Sequence, residues 1–384
     1  MTEIISEEFV KRFGGEPLIV RSPGRINLIG EHTDYNAGFV MPAAINKYIA
    51  FALAPGKDNY RFFSQDLQEE YTIVPNKIKP DPKYPWVNYL LGVIAEYNKR
   101  GVEIPPFDCV FGGNIPIGAG LSSSAALECG LAYGLAGLFN IEIKDEELIL
   151  LAQGAEHHYA GVMCGIMDQF ACVYGKQGHV VKLDCRSMEY DYFPLSMDDY
   201  QLVLFDTGVK HSLAGSEYNT RREECEEGVR IIARGDKHIK SLRDCTLDML
   251  ENVAHNMKKT VYDRCHYVIE ENLRVERAAE KLKAKEISAV GELMYASHNG
   301  LRGEYEVSCP ELDLLVELTL SESGVIGSRM MGGGFGGCTI NIVEKSQVEA
   351  VVSRISKGYN SKFNCTPQAH VVSLEEGVKI ISKP

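Results

Sequence analysis

PIGAGLSSSAALE, from Pro116 to Glu128, sets small residues directly after the apolar run Phe107–Phe111 and directly before a helical pattern that continues to Leu138. A strand that turns through glycines into a helix presents unpaired amides and the positive end of a helix dipole, a ready site for phosphate. Gly118 and Gly120 let backbone come close to such a group, and Ser122, Ser123 and Ser124 add hydroxyls, one of which suits Mg²⁺. No Lys stands in the segment, so it is not the Walker type of phosphate loop. A tight turn with a serine cap is the plainer reading, but three adjacent hydroxyls exceed what one cap requires.

Working outward, short apolar runs predict strands at Pro17–Val20, Lys47–Leu53, Val180–Leu183 and Leu202–Phe205, with helices at Trp86–Tyr97 and Glu146–Tyr159. Beyond a boundary expected near Leu195, amphipathic periodicity predicts helices at Glu217–Ala233, Val261–Lys285, Ser288–Leu301 and Glu311–Leu318. The chain closes as strand, helix, strand over Cys338–Val343, Gln347–Tyr359 and Ala369–Val372. Strands alternating with helices in both halves predict an α/β (α+β) architecture of two domains, 1–195 and 196–384, with the chemistry in the cleft between them.

The net charge of −13 opposes non-specific binding to nucleic acid or anionic lipid, which depends on clustered Lys and Arg. The eleven cysteines are odd in number and scattered, which suits a reducing compartment. Met1, Thr2 and Glu3 lead into no apolar segment of export or membrane-spanning length, so a cytoplasmic location is expected.

Three further segments carry polar residues suited to chemistry. RSPGRINLIGEHTDYNAG, Arg21–Gly38, reads as a loop bearing Arg25, Glu31, His32 and Asp34, groups that can fix the hydroxyls of one small polar ligand. A metal site joining Glu31, His32 and Asp34 to Glu156, His157 and His158 competes with that reading, but the spacing matches no hydrolase signature. AEHHYAGVMCGIMDQF, Ala155–Phe170, places Asp168 among Ile166, Met167 and Phe170, where a carboxylate needs a partner such as Arg25. A buried structural ion pair is the bland alternative. GSRMMGGGFGGCTI, Gly327–Ile340, satisfies GxGxxG at Gly332, Gly334 and Gly337, yet leads into a β-branched run near the chain's end rather than into a helix. It reads as backbone that closes over a ligand or against the first glycine loop, or as a structural bend.

Together these segments resemble the three motifs of the GHMP small-molecule kinases, and GRINLIGEHTDYNAG, Gly24–Gly38, looks like the galactokinase signature. The similarity runs on through HSLAGSEYNTRREECEE, His211–Glu227, and EVSCPELD, Glu306–Asp313. The resemblance implies an N-terminal domain related to a ribosomal-protein fold, a ferredoxin-like C-terminal domain, and transfer of the γ-phosphoryl group of ATP to the C1 hydroxyl of galactose with Mg²⁺. By motif position it makes Asp168 the catalytic aspartate, Arg25 its cationic partner, and Glu31, His32, Asp34, Gly165 and Tyr218 the sugar-binding residues. Ser124 and Glu156 match the Mg²⁺ ligands and Trp86 the aromatic beside adenine. The triphosphate then lies on Pro116, Gly118, Gly120, Leu121, Ser122, Ser123, Ser124 and Ala125, closed over by Gly333, Gly334, Phe335 and Gly336. One departure is Met331, where many of the family have Thr, so a hydroxyl beside the phosphates or sugar is lost. A monomer is expected, with a weak dimer as the alternative. Kinases for N-acetylgalactosamine or arabinose share these motifs; a galactose sensor on the same scaffold lacks the Ser124-Ala125 step present here, and mevalonate or homoserine kinases lack the EHTDY segment.

Overall fold

The computed structural model describes residues 1–116, 118–209 and 214–383, so His211 to Leu213, which open the HSLAGSEYNT stretch, lie outside the described residues. The first half runs α1 (Thr2–Phe13), β1 (Leu18–Asn27), β2 (Phe39–Val40), β3 (Pro42–Pro55), β4 (Tyr60–Ser64), β5 (Glu69–Ile73), α2 (Pro85–Lys99) and β6 (Phe107–Gly113). It continues through α3 (Ser123–Phe139), α4 (Asp145–Ala155) with a π-helical extension Glu156–Ala160, α5 (Met167–Tyr174), β7 (His179–Asp184) and β8 (Tyr190–Pro194). The second half runs β9 (Tyr200–Asp206), α6 (Ala214–Ile232), α7 (Leu247–Val253), α8 (Lys259–Lys283), α9 (Ile287–Gly303), α10 (Pro310–Thr319) and β10 (Val325–Met330). It ends β11 (Cys338–Glu344), α11 (Val348–Phe363), β12 (Gln368–Val372) and β13 (Lys379–Ser382).

The α/β (α+β) expectation holds. A six-stranded sheet orders β13-β1-β3-β6-β4-β5, a three-stranded sheet β2-β7-β8, and a four-stranded sheet β10-β11-β9-β12. In the last, every neighbouring pair is antiparallel. With helices between β9 and β10 and between β11 and β12, it has the β-α-β-β-α-β order of a ferredoxin-like unit. Leu195 falls between strands of different sheets, while the last strand, β13, returns to pair with β1. The largest apolar core is shared by both halves, running from Val20 and Phe51 to Ile340 and Val372.

The small residues of α3 seat it on the large sheet: a Cβ at Gly130 would lie 2.2 Å from the Phe51 ring. That close approach is what the Ala- and Gly-rich pattern predicts, because only small side chains leave room for helix backbone near a sheet.

Several elements escaped the periodicity. The strand expected at Pro17–Val20 continues to Asn27, so the first third of the segment read as a loop is strand, with its register shifted between Pro23 and Arg25. Pro23 and Gly24 disguise it, since both residues normally weaken a strand outside bulges and edges. The hairpin of β4 and β5, helix α5 and strands β8, β10 and β13 are too short for a local pattern to carry.

Candidate active site

β1 carries Arg25 into the space between the two halves, and the Arg25 amide bonds to the Leu121 carbonyl at 3.2 Å, fixing the strand to the glycine-serine loop ahead of α3. The Arg25 guanidinium meets the Asp168 carboxylate twice, Nε to Oδ1 at 2.7 Å and Nη2 to Oδ2 at 3.0 Å, and its Nη1 donates to the Gly120 carbonyl at 2.6 Å. The planar fork matches a carboxylate in this bidentate fashion and locks its orientation. Burial works against the Arg25 charge, but Asp168 and Glu31 outweigh it and hold the group above its ordinary range. The Ser122 hydroxyl also donates to Asp168 Oδ2. Ser122 precedes α3 in the left-handed region, at φ 56°, and this turns its side chain toward Asp168.

Two cavities share that pair. One is lined by Glu31, His32, Asp34, Glu156, Cys164 and Met167 together with Arg25, Asp168, Tyr218, Val162, Gly332 and Gly333. The other runs along Pro116, Gly118, Gly120, Leu121 and Ser122 to Ser124, and again meets Arg25, Asp168, Val162, Tyr218 and Gly333. The first is compact and rich in carboxylates; the second lies along the N-terminus of α3. The two cavities thus share a wall made of Arg25, Asp168, Val162, Tyr218 and Gly333, with the ion pair as its charged part.

Glu31 is buried and splits its work. Its Oε1 accepts from Arg329 Nη2 at 3.0 Å and from the Gly332 amide at 2.8 Å, tying the sugar signature to the second glycine loop. Arg329 is fully buried and spends its remaining donors on the carbonyls of Asn27, Leu28 and Met330. Sequence reasoning missed Arg329, although a lone Arg before the glycines in an otherwise apolar strand signals a buried partner. Asp34 is pushed up to about 7, first by burial and then by the Asp168 charge. Gly165 packs on it so tightly that a Cβ there would lie 2.0 Å from Asp34 Oδ2. Gly165→Ala is therefore expected to displace the Asp34 carboxylate and weaken the ligand of this cavity by about tenfold or more, measured by titration calorimetry, with the other cavity unaffected.

Glu156 is likewise pushed up to about 7 by burial and by Asp168, and its carboxylate bonds to the Ser124 hydroxyl. Behind it, Gln169 Nε2 donates to Glu156 Oε2 at 2.9 Å. A carboxylate and a hydroxyl, hard oxygen donors at the junction of the cavities with Asp34 and Asp168 in the same lining, are of the kind that fits Mg²⁺. The alternative metal cluster does not form among the described residues: His157 turns to the Cys164 carbonyl at 2.8 Å and His158 to Glu96 at 2.9 Å.

The glycine loops abut. A Cβ at Gly332 would lie 3.2 Å from the Gly120 carbonyl and one at Gly337 would lie 3.3 Å from the Ala119 carbonyl, and both glycines have positive φ. Gly333 and Gly334 line the second cavity, whereas the Phe335 amide bonds to Val307 at 2.7 Å and its ring packs on the α6–α8 core. A Cβ at Gly336 would strike the Val209 carbonyl at 2.5 Å. Met331 is buried, and its sulfur accepts from the Asn27 amide at 3.4 Å, so this side chain joins the core and leaves the cavities to its neighbours. Ala125 is buried in α3 behind the serines. Trp86 lines neither cavity; it packs between Tyr71 and Phe111, and its indole N–H donates to Glu69 at 2.6 Å.

Comparison with known proteins agrees with this layout. A galactokinase galactose-binding signature matches residues 7–55, and the N- and C-terminal GHMP kinase domain models match residues 88–176 and 278–361. The galactokinase of Thermotoga maritima is 40% identical over 362 residues, 94% of this chain and 99% of that protein. The chain belongs to the galactokinase family. Within it, the Chloroflexus aurantiacus galactokinase is 42% identical over 97% of this chain and 96% of its own length. The crystal structure of Lactococcus lactis galactokinase complexed with galactose superposes with a TM-score of 0.94 at 32% identity, covering 99% of both chains. The Methanococcus jannaschii mevalonate kinase, at 17% identity and a TM-score of 0.65 over 94% of this chain and 99% of that one, shares the fold alone. Like the rest of the galactokinase family, the chain is an ATP-dependent sugar kinase. None of its described helices is long and apolar enough to cross a membrane.

Proposed function

We propose that the chain moves the γ-phosphoryl group of ATP onto the C1 hydroxyl of galactose at the Arg25–Asp168 pair, in the cytoplasm. The observation that carries this reading is the pair of cavities, one suited to a polyol and one to a triphosphate, whose common wall is an aspartate clamped by an arginine. The eleven cysteines, all unpaired, support a reducing compartment.

Glu31, His32, Asp34 and Tyr218 hold the sugar hydroxyls, and Gly165 keeps Asp34 in place. The first amides of α3 and the backbone around Gly118, Gly120 and Gly333 hold the phosphates. Phosphoryl transfer needs alignment and charge neutralisation more than covalent chemistry, because charge spreads over the oxygens of a loose transition state. Asp168 orients the C1 hydroxyl and takes its proton; the doubly bonded Arg25 keeps the carboxylate aimed and stabilises charge on the group in transit. Ser124 and Glu156 would hold Mg²⁺, which when bound neutralises the phosphate oxygens.

The test is incubation with MgATP and galactose, N-acetylgalactosamine, arabinose, glucose or mevalonate, following ADP release and identifying the product. Galactose 1-phosphate is expected, with glucose rejected because a site built from hydrogen-bonding groups discriminates strongly against a misplaced hydroxyl. Saturable galactose binding without ADP would overturn the kinase reading.

A pH dependence follows from Asp34. With its pKa near 7, the anion that accepts a sugar hydroxyl is lost below neutrality. The kcat/KM for galactose is therefore expected to fall as pH drops through 7, with Asp34 and the equally raised Glu156 each contributing up to about tenfold per pH unit, and Asp34→Asn should halve the limiting slope of the logarithmic profile from pH 5.5 to 8.5. In stability the sign is opposite. The folded chain binds the Asp34 proton more tightly than the unfolded one, so this group's contribution is fully present below pH 4 and is lost as pH rises through 7.

A further inference from the structure

His32 belongs to a hydrogen-bonded chain that crosses from one half of the molecule to the other. Its Nδ1 lies 2.7 Å from the Tyr35 hydroxyl, which lies 2.7 Å from the Tyr305 hydroxyl, which lies 3.2 Å from Cys225 Sγ. Tyr305 and Cys225 are fully buried, and the His32 ring is packed by the Tyr305 and Tyr218 rings at 4.9 and 5.4 Å between centroids. On the far side of the ring, Nε2 is buried against the backbone of Gly333 without closing a well-formed hydrogen bond to any described residue, and the cavity of the sugar signature opens beside it.

The protons of such a chain can run in only two directions. If His32 donated from Nδ1, Tyr35 would donate to Tyr305, and the strong Tyr305 O–H would be left on the weak acceptor sulfur. If the Cys225 thiol donates, Tyr305 donates to Tyr35 and Tyr35 donates to the imidazole nitrogen, a good acceptor, so every strong donor meets a strong acceptor. The second direction leaves the His32 proton on Nε2.

We propose that Tyr35, Tyr305 and Cys225 act as positioning residues that hold His32 in its Nε2–H tautomer, making it a hydrogen-bond donor to an oxygen of the sugar in a cavity rich in carboxylates. The proposal rests on the assignment of that cavity to the sugar. Burial and the Arg221 charge push the His32 pKa down to about 3, so the ring stays neutral and its tautomer decides what it offers. The Asp34, Glu31 and Asp168 carboxylates that share the cavity can only accept when ionised, and an oxygen of the sugar must find its donors elsewhere.

The experiment is long-range ¹H–¹⁵N correlation spectroscopy of histidine-labelled protein, free and with galactose, together with steady-state kinetics of Tyr35→Phe and Tyr305→Phe. The wild type is expected to show a protonated Nε2 and a hydrogen-bonded, unprotonated Nδ1. Tyr35→Phe should move the Nδ1 shift toward that of a free nitrogen and raise the galactose KM about tenfold with kcat and the ATP KM little changed; Tyr305→Phe should act in the same direction more weakly. A protonated Nδ1 in the wild type would overturn the proposal, as would an unaltered galactose KM in a folded Tyr35→Phe protein. The tautomer is read without turnover, so absence of galactose phosphorylation would strike the kinase reading and leave the relay to be judged by its spectrum.

Discussion

Asp168→Ala is expected to lower kcat by about a thousandfold while ATP still binds. The change removes the group proposed to meet the sugar hydroxyl and leaves the Arg25 fork without the carboxylate it grips at 2.7 and 3.0 Å. The nucleotide cavity keeps its α3 amides, serines and glycines, and freed of Asp168 the Arg25 charge is more available to phosphate, so ATP affinity should hold or rise. Asp168→Asn separates the two roles, since it keeps the shape and loses the base. ADP release in a coupled assay and ATP titration calorimetry measure the two quantities; turnover near the wild-type rate in either variant would remove Asp168 from the chemistry.

Arg329→Met is expected to destabilise the protein by about 3–5 kcal/mol, the usual cost of leaving a buried charge without its partner. Glu31 is buried and Arg329 has no exposed surface, so water cannot replace the lost bond. Arg329 also satisfies three backbone carbonyls around Asn27, Leu28 and Met330, and these would be stranded with it. The double variant Arg329→Met with Glu31→Met removes both charges and should recover part of the loss, which is the signature of a paired charge in a double-mutant cycle. Urea unfolding followed by fluorescence and circular dichroism gives the values. A single variant as stable as the wild type would mean that Glu31 is held by the Gly332 amide alone.

Much of the molecule was legible along the chain because its longer elements obey a local period. The α3 pattern of alanines, leucines and glycines predicted a helix seated on a sheet, and α8 and α9 announced themselves by their apolar stripes. The turn through Gly118 and Gly120 into the serines at the start of α3 was legible for a related reason, since glycines followed by capping residues mark a strand-to-helix turn wherever they occur. Strand β1 was not legible beyond Val20, because the shift in register at Pro23 and Arg25 hides its alternation, and β13 was not because a four-residue strand at the chain's end owes its existence to the β1 edge it pairs with.

Met331 shows the limit from the other side. Its place in the glycine motif suggests a position facing ligand, but its side chain goes into the core against the Asn27 amide. Direction within a turn depends on backbone angles set by neighbours far along the chain, here the Gly120 loop packed against Met331 and Gly332.

The amino-acid order by itself determined the α/β class, the glycine- and serine-rich turn ahead of α3 and the polar residue types of the Arg21–Gly38 segment, because each depends on spacing within a few turns of helix or a few residues of strand. Only the tertiary structure decided that Asp168 is gripped by Arg25 from 143 residues away and that Glu31 answers to Arg329 across 298. It alone placed His32 at the end of a relay reaching Cys225. Those partners are separated by far more chain than any local period spans, and burying a charge or a donor is affordable only where the folded chain has already brought its complement within reach.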